Sequence, residues 1–343
     1  MKAIKILTMA ALATAVFASC SNDEDLAQSS YPADNVVRVT TNVEDITTRA
    51  FHTTNTLDGM NTRASYGNST DKLKSFGFCI KNANSEKYTY DNIKVSQEGS
   101  NWIPATQMFW QNSTTAVDIL AYAPYQETTE DANGKVKVFG KPDYAFSVKA
   151  DQSDAEDYSS DLIVYKQTGF TPGSELNTSK AVDVTFTHLL SQLNLTIELR
   201  DQFNQDEEKP VTSATVTDVK VDGTLIRSKV NFAADPISVQ FDGMASKAIT
   251  PETVAFKKAD KTTDHATFKY SAIVIPQKVY AGQLCIKFKV DGTDYIWTGT
   301  DDALFESGKK YELHLLVGKD VVQGGAITAK PWGDETITEK ETD

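Results

Sequence analysis

Apolar and polar positions alternate in short runs along most of this chain, with Asn, Asp, Gly, Ser and Thr clustered between the runs. That is the pattern of β-strands separated by tight turns. The clearest runs are 36–43 (VVRVTTNV), 72–80 (KLKSFGFCI), 117–124 (VDILAYAP), 181–188 (AVDVTFTH) and 192–199 (QLNLTIEL). Further along come 214–223, 267–276, 283–292, 294–299 and 310–318. In 181–188, Val182, Val184 and Phe186 share one face, while Asp183, Thr185 and Thr187 share the other. The pair Asp291-Gly292 joins two such runs and predicts a two-residue hairpin, because Gly accepts the positive φ the turn demands. Beyond the N-terminus no long window carries a 3.6-residue apolar period, apart from a possible short turn around His188–Leu193. The expectation is an all-β protein built as sandwiches.

Three stretches break the strand pattern. Residues 20–35 are almost free of apolar side chains and read as a tether. Residues 44–71 are rich in Thr, Asn and Ser, and 167–181 carry Gly, Pro and Ser between two strand-rich halves. These breaks set off a leader at 1–19, a tether from residue 20 that carries the first strand, and two strand-rich halves that meet at 175/176, each expected to be a sandwich. A C-terminal tail follows at 320–343, polar around one apolar segment, 326–332.

The leader has its own anatomy. Lys2 and Lys5 precede an apolar run from Ile6 to Phe17, shorter than the roughly 20 residues that span a bilayer. Small residues and then Cys20 end it, which is the layout of an export signal with its cut site. The sequence around Cys20 resembles the lipobox of bacterial lipoproteins, whose Cys becomes the lipidated first residue. The acidic 21–25 that follows is similar to the export signal of surface lipoproteins in some diderm bacteria. An ordinary secretory signal with an incidental Cys20 is the alternative. Either way the chain is expected to work outside the cytoplasm, and on the lipoprotein reading acyl chains attach it to the outer membrane.

Charge narrows the function classes. The whole chain carries −13; residues 1–19 hold two lysines and no acid, so the remainder carries −15. Nucleic-acid binding needs a clustered basic face and is excluded on this balance. Besides Cys20 only Cys79 and Cys285 occur, each inside an apolar run; they read as packed thiols, with a disulfide as the alternative.

No catalytic constellation stands out. His52, His188, His265 and His314 show no zinc-type spacing, and no G-x-S-x-G elbow is present. The acidic run Asp151, Asp154, Glu156, Asp157, Asp161 lacks the register of a standard Ca²⁺ loop and reads as solvated. Neither a catalytic residue, nor a metal ligand, nor a cofactor is assigned. Trp102, Trp110, Trp297 and Trp332 suggest either core packing or sugar stacking.

Several segments in order resemble the fimbrillin family, subunits of type V pili. After the lipobox and a strand come Thr48-Arg49-Ala50 and Thr62-Arg63-Ala64, then Ser75-Phe76-Gly77-Phe78. Trp102-Ile103-Pro104, Met108-Phe109-Trp110 and Leu120-Ala121-Tyr122-Ala123-Pro124 follow. The second half opens with Phe186-Thr187-His188-Leu189-Leu190-Ser191-Gln192-Leu193 and continues with Ile275-Pro276-Gln277 and Gly308-Lys309-Lys310-Tyr311-Glu312-Leu313. Ile327 and Trp332 resemble the closing segment.

The resemblance implies two tandem transthyretin-like β-sandwich domains exported as a lipoprotein to the cell surface and then built into a fimbrium. It also implies a maturation protease cutting after Arg49 or Arg63, leaving Ala50 or Ala64 first, and the loss of the strand bearing Val37 and Val39, so that 20–49 (or to 63) is the removed piece and 50–175 and 176–319 are the two sandwiches. Other pilus subunits would be the partners, adding head to tail by strand exchange, with the tail around Ile327 and Trp332 as the donor equivalent. Pro331 would cost that tail one ladder hydrogen bond, which leaves room for a tip or accessory subunit. An anchor subunit, or an unprocessed lipoprotein that binds glycans, remains the alternative.

Overall fold

A computed structural model describes residues 31–43, 72–127, 138–205, 210–243 and 246–332. Through them run twenty-one strands. In chain order the first eight are β1 (Val39–Val43), β2 (Ser75–Lys81), β3 (Tyr90–Glu98), β4 (Asn101–Pro104), β5 (Val117–Ala123), β6 (Tyr144–Ser147), β7 (Ile163–Phe170) and β8 (Val182–His188). Then come β9 (Ser191–Leu199), β10 (Val216–Asp222), β11 (Arg227–Asn231), β12 (Ser238–Phe241), β13 (Glu252–Lys257), β14 (Ala266–Val274) and β15 (Gln277–Val279). The last six are β16 (Cys285–Val290), β17 (Thr293–Thr298), β18 (Ala303–Phe305), β19 (Lys309–Gly318), β20 (Val321–Gly324) and β21 (Thr328–Pro331).

The protein is an all-β sandwich structure, as the alternation requires. A seven-stranded sheet has the order β1-β8-β7-β5-β2-β3-β4. A second sheet runs β13-β14-β9-β19-β20, with β21 also on β19, and three-stranded sheets β10-β16-β17 and β12-β11-β6 pack with it. The chain moves from the first sheet to the second within Leu189 and Leu190, between β8 and β9; no helical turn forms there. Strand β7 extends through Phe170, and a short α-helical turn, Pro172–Glu175, follows it, so the Gly/Pro-rich stretch is partly ordered structure.

Two apolar clusters result. One gathers Phe76, Phe78, Ile80, Trp110, Ile119, Phe170, Val182, Val184 and Phe186 with valines of the N-terminal segment. The larger one is built mainly from the second sheet and its partners, but Cys79, Leu120, Tyr122 and Val164 of the first sheet also belong to it. This explains why β2 and β5 read as continuous apolar runs: both of their faces are covered. Gly77 is required on the second face, because a Cβ there would lie 2.3 Å from the Tyr122 ring. Segment 138–152 reaches into the larger cluster through Val138, Tyr144, Phe146 and Val148. Buried Gln152 fastens it by accepting from the Ile273 N–H at 2.7 Å and donating to the Ile273 carbonyl at 2.9 Å.

The Asp291-Gly292 hairpin forms between β16 and β17, with φ of 49° and 82° at its two central residues. Cys79 and Cys285 are both free; Cys79 is buried and Cys285 half-buried. Burial raises the Cys79 thiol well above the ordinary range, with the Asp91 carboxylate beside it adding to the rise.

Candidate functional site: the strand that closes the first sheet

Residues 31–43 form the outermost element of the first sheet. β1 lies parallel to β8, with Val39 opposite Val182 and Val43 opposite Phe186. Upstream of β1 the chain bridges to the far side of the same sheet. The Val37 N–H donates to the Met108 carbonyl at 3.0 Å, and the Trp110 N–H donates to the Asn35 carbonyl at 2.8 Å. Residues 35–43 thus span from the β8 edge to the segment after β4 and close the apolar cluster between them.

Burial along the segment follows strand periodicity. Val37, Val39 and Val43 are 2%, 7% and 5% exposed, within the cluster of Met108, Trp110, Leu176 and Phe186. Arg38 and Asn42 face outward. Full burial of a Val side chain contributes roughly 1.5–3 kcal/mol, so the three valines carry most of the segment's adhesion. The weak position is Thr41. It sits in the inward phase of the strand, and its buried Oγ1 has no hydrogen-bond partner among the described residues. A buried hydroxyl left so costs about 1–3 kcal/mol.

Polar contacts line the outer face. Asp34 and Arg38 form a two-toothed ion pair, with Arg38 Nη1 at 3.1 Å and Nη2 at 2.5 Å from the carboxylate oxygens. The Arg38 hydrogen bonds, followed by the Val36 N–H, hold the Asp34 carboxyl down at about 2. The Thr40 hydroxyl accepts from Asn177 Nδ2 at 2.9 Å, and Asn42 Nδ2 donates to Asp183 at 3.3 Å. The Asp34–Arg38 and Asn42–Asp183 contacts are exposed and of small individual weight, while the Thr40–Asn177 bond is part-buried.

The sequence-derived site residues divide into three groups. Val37 and Val39 lie in the buried face of the closing strand. Ile327 and Trp332 lie elsewhere: Ile327 packs half-buried on the larger cluster, and Trp332 is fully buried. β21 pairs antiparallel with β19, and Glu312 opposes Thr328. Cys20, Arg49, Ala50, Arg63, Ala64 and His52 lie outside the described residues.

Two side-chain clusters have no counterpart in sequence spacing. His188 Nδ1 meets the Asp161 carboxylate at 3.0 Å in a site where both side chains are buried, and the Trp332 indole stacks on the His188 ring at 3.9 Å and 8°. On an outer face, the two oxygens of Glu198 separately engage His265 Nδ1 and His314 Nε2, the latter at 2.6 Å. Among the described residues no group of three His, Cys, Asp or Glu side chains converges to hold a metal. The acidic run folds into local turns instead: Asp151 accepts from Ser153, Asp154 from the Glu156 N–H, and Asp157 pairs with Lys149. Trp102 is half-buried against Phe76, Trp110 is buried beside Phe170, and Trp297 is half-buried.

Comparison with known proteins agrees with this architecture. No curated protein matches the chain. A candidate cell adhesion protein from Bacteroides uniformis is 18% identical, covering 88% of this chain and 99% of its own, with a TM-score of 0.53. One from Bacteroides ovatus is 13% identical over 87% and 97%, with a TM-score of 0.58. A fimbrial protein from Bacteroides vulgatus is 16% identical over 87% and 99%, at a TM-score of 0.48. The first two share the fold. The fimbrillin-like family model matches residues 62–332, most of the chain and both sheets, and the chain therefore belongs to the fimbrillin-like family.

Proposed function

We propose that this protein is a structural subunit of a cell-surface pilus, exported as a lipoprotein through Cys20 and matured by cleavage after Arg49 or Arg63. Its place in the filament is taken by strand exchange at the site that β1 occupies. The observation that carries the reading is the closing segment itself. Val37, Val39 and Val43 fill an apolar cluster at one edge of a sheet. Both candidate cut sites lie between that segment and β2 in sequence.

The physics of exchange follows. Cutting between β1 and β2 leaves the strand held only by non-covalent contacts. Its loss exposes the unpaired edge of β8 and the apolar wall of Val182, Val184 and Phe186. An incoming strand with alternating apolar residues satisfies both. Because the giving and receiving surfaces differ, addition proceeds head to tail as an open filament. The partners are other pilus subunits, a maturation protease, and the outer membrane through lipid until processing.

We also propose the division of labour along the chain: a leader at 1–19, a removable piece ending at Arg49 or Arg63, two sandwiches, and a tail. The glycan-binding alternative drew on four tryptophans, and their buried or half-buried positions in the cores support packing roles instead.

The test is the N-terminal residue of surface protein recovered by shearing cells. Ala50 or Ala64 supports maturation and selects the site. A lipidated Cys20 on all of the protein, with nothing released by shearing, counts against it and in favour of an anchor subunit. Replacing Arg49 and Arg63 together by Ala should abolish assembly, and normal filaments from that variant would refute the reading.

A further inference from the structure

A subunit that receives a strand need not give one. We infer that the C-terminal segment 327–332 is a locked strand and not a donated one, so that this segment stays with its own chain when a neighbour's β8 edge is filled. The inference rests on the strand-exchange reading above.

The lock is built from three distant parts of the sequence. β21 lies against the first half of β19, and Lys330 pairs with Glu312 at 2.8 Å. Directly after β21, Trp332 enters a site with no exposure and stacks on His188. His188 is the last residue of β8, the strand on which β1 rests, and Asp161 behind it precedes β7. The tail therefore joins the second sheet by its ladder and the first sheet by its indole. The indole N–H has no hydrogen-bond partner among the described residues, so burial and stacking hold it, and both are lost if the strand leaves. Departure would also open the buried His188–Asp161 pair to water.

The receiving site offers the tail little in return. It is filled by Val37, Val39 and Val43, with Thr41 between. In one phase the tail presents Ile327, Ala329 and Pro331; Ala fills less volume than Val, and Pro331 has no N–H for the ladder. In the other phase it presents Thr328, Lys330 and Trp332, which places an ammonium group among apolar side chains. Exchange of this segment would trade a matched site for a mismatched one. The strand that suits the β8 edge carries Val or Ile at alternate positions over about seven residues, the spacing of 37–43, and comes from a different subunit.

The experiment uses the full chain cut with an Arg-specific protease, freed of the protease because the probe contains Arg38, and then mixed with a labelled synthetic peptide of residues 36–43. Size-exclusion chromatography with light scattering follows assembly, and amide hydrogen exchange follows residues 328–332. A one-to-one peptide complex, and slow exchange at 328–332 throughout, is expected. Oligomers that appear together with lost protection at 328–332 would overturn the inference while leaving strand exchange standing. If β1 leaves and no peptide binds, the accepting half fails and strand exchange fails with it. Trp332→Ala should speed exchange at 328–331 by roughly tenfold or more, while Trp332→Phe should keep most of the protection. Unchanged exchange in Trp332→Ala would show that the indole is not the lock.

Discussion

Replacing Thr41 by Val tests whether the closing strand is held less tightly than its site allows. The two side chains have nearly the same shape, so the change removes a buried hydroxyl and adds a methyl at an unchanged backbone. The hydroxyl has no partner among the described residues, and relieving it is worth about 1–3 kcal/mol. If β1 opens as a local unit, that energy appears as roughly 5- to 150-fold rarer opening. The assay is amide hydrogen exchange at residues 37–43 in the uncut chain, with exchange in β9 and β14 as the internal reference. The reverse substitution, Val39→Thr, puts a hydroxyl at a position 7% exposed and should raise opening by a comparable factor. Asn42→Ala, on the outer face, should stay within about 0.5 kcal/mol of the parent. Equal or faster opening in Thr41→Val would refute the reasoning, because it would mean that the hydroxyl is satisfied.

Trp332→Ala removes a fully buried indole and should cost about 3–5 kcal/mol in chemical denaturation; a loss below about 1 kcal/mol would place the tail outside the folded unit. Gly77→Ala sets a Cβ against the Tyr122 ring and should cost about 1–3 kcal/mol through overpacking, read as a lowered melting temperature. The Asp34–Arg38 pair gives a pH dependence with a defined sign. The folded Asp34 carboxyl is lowered to about 2 from 3.8, so its contribution is complete above the higher value and is lost as pH falls through the lower one. Amide protection factors at residues 35–38, taken against the intrinsic exchange rate at each pH, should therefore fall between about pH 4 and pH 2, and Asp34→Asn should abolish that fall. A residue-resolved NMR titration should leave Tyr144 un-ionised until about pH 12, since burial raises it to about that value; ionisation of Tyr144 near pH 10 would show that the larger cluster is open there.

The sequence by itself determined the class of structure and much of the local conformation. Alternation in 182–188 placed Val182, Val184 and Phe186 inward, and burial along β8 follows it. The Asp291-Gly292 pair fixed a hairpin because only short-range sterics are involved. The spacing of Val37 and Val39 likewise marked one face of a strand before any partner was known. Order of motifs along the chain was enough to indicate the family.

Partners were another matter, because periodicity reports which face is buried and not what buries it. Val39 lies beside Val182 in a parallel pair, and nothing in either segment encodes the direction of the other. The short strands β6, β15, β18 and β20 carry too few residues to show a period; long-range pairing holds them in place. The Gly/Pro-rich stretch suggested a break near residue 175. Phe170 and Leu176 are nevertheless buried in the first cluster, and β8 remains in the first sheet. Tertiary structure alone brought Asp161, His188 and Trp332 together, and likewise Glu198, His265 and His314. Each of those side chains comes from a different strand or loop, so only the packing of sheets decides that they meet.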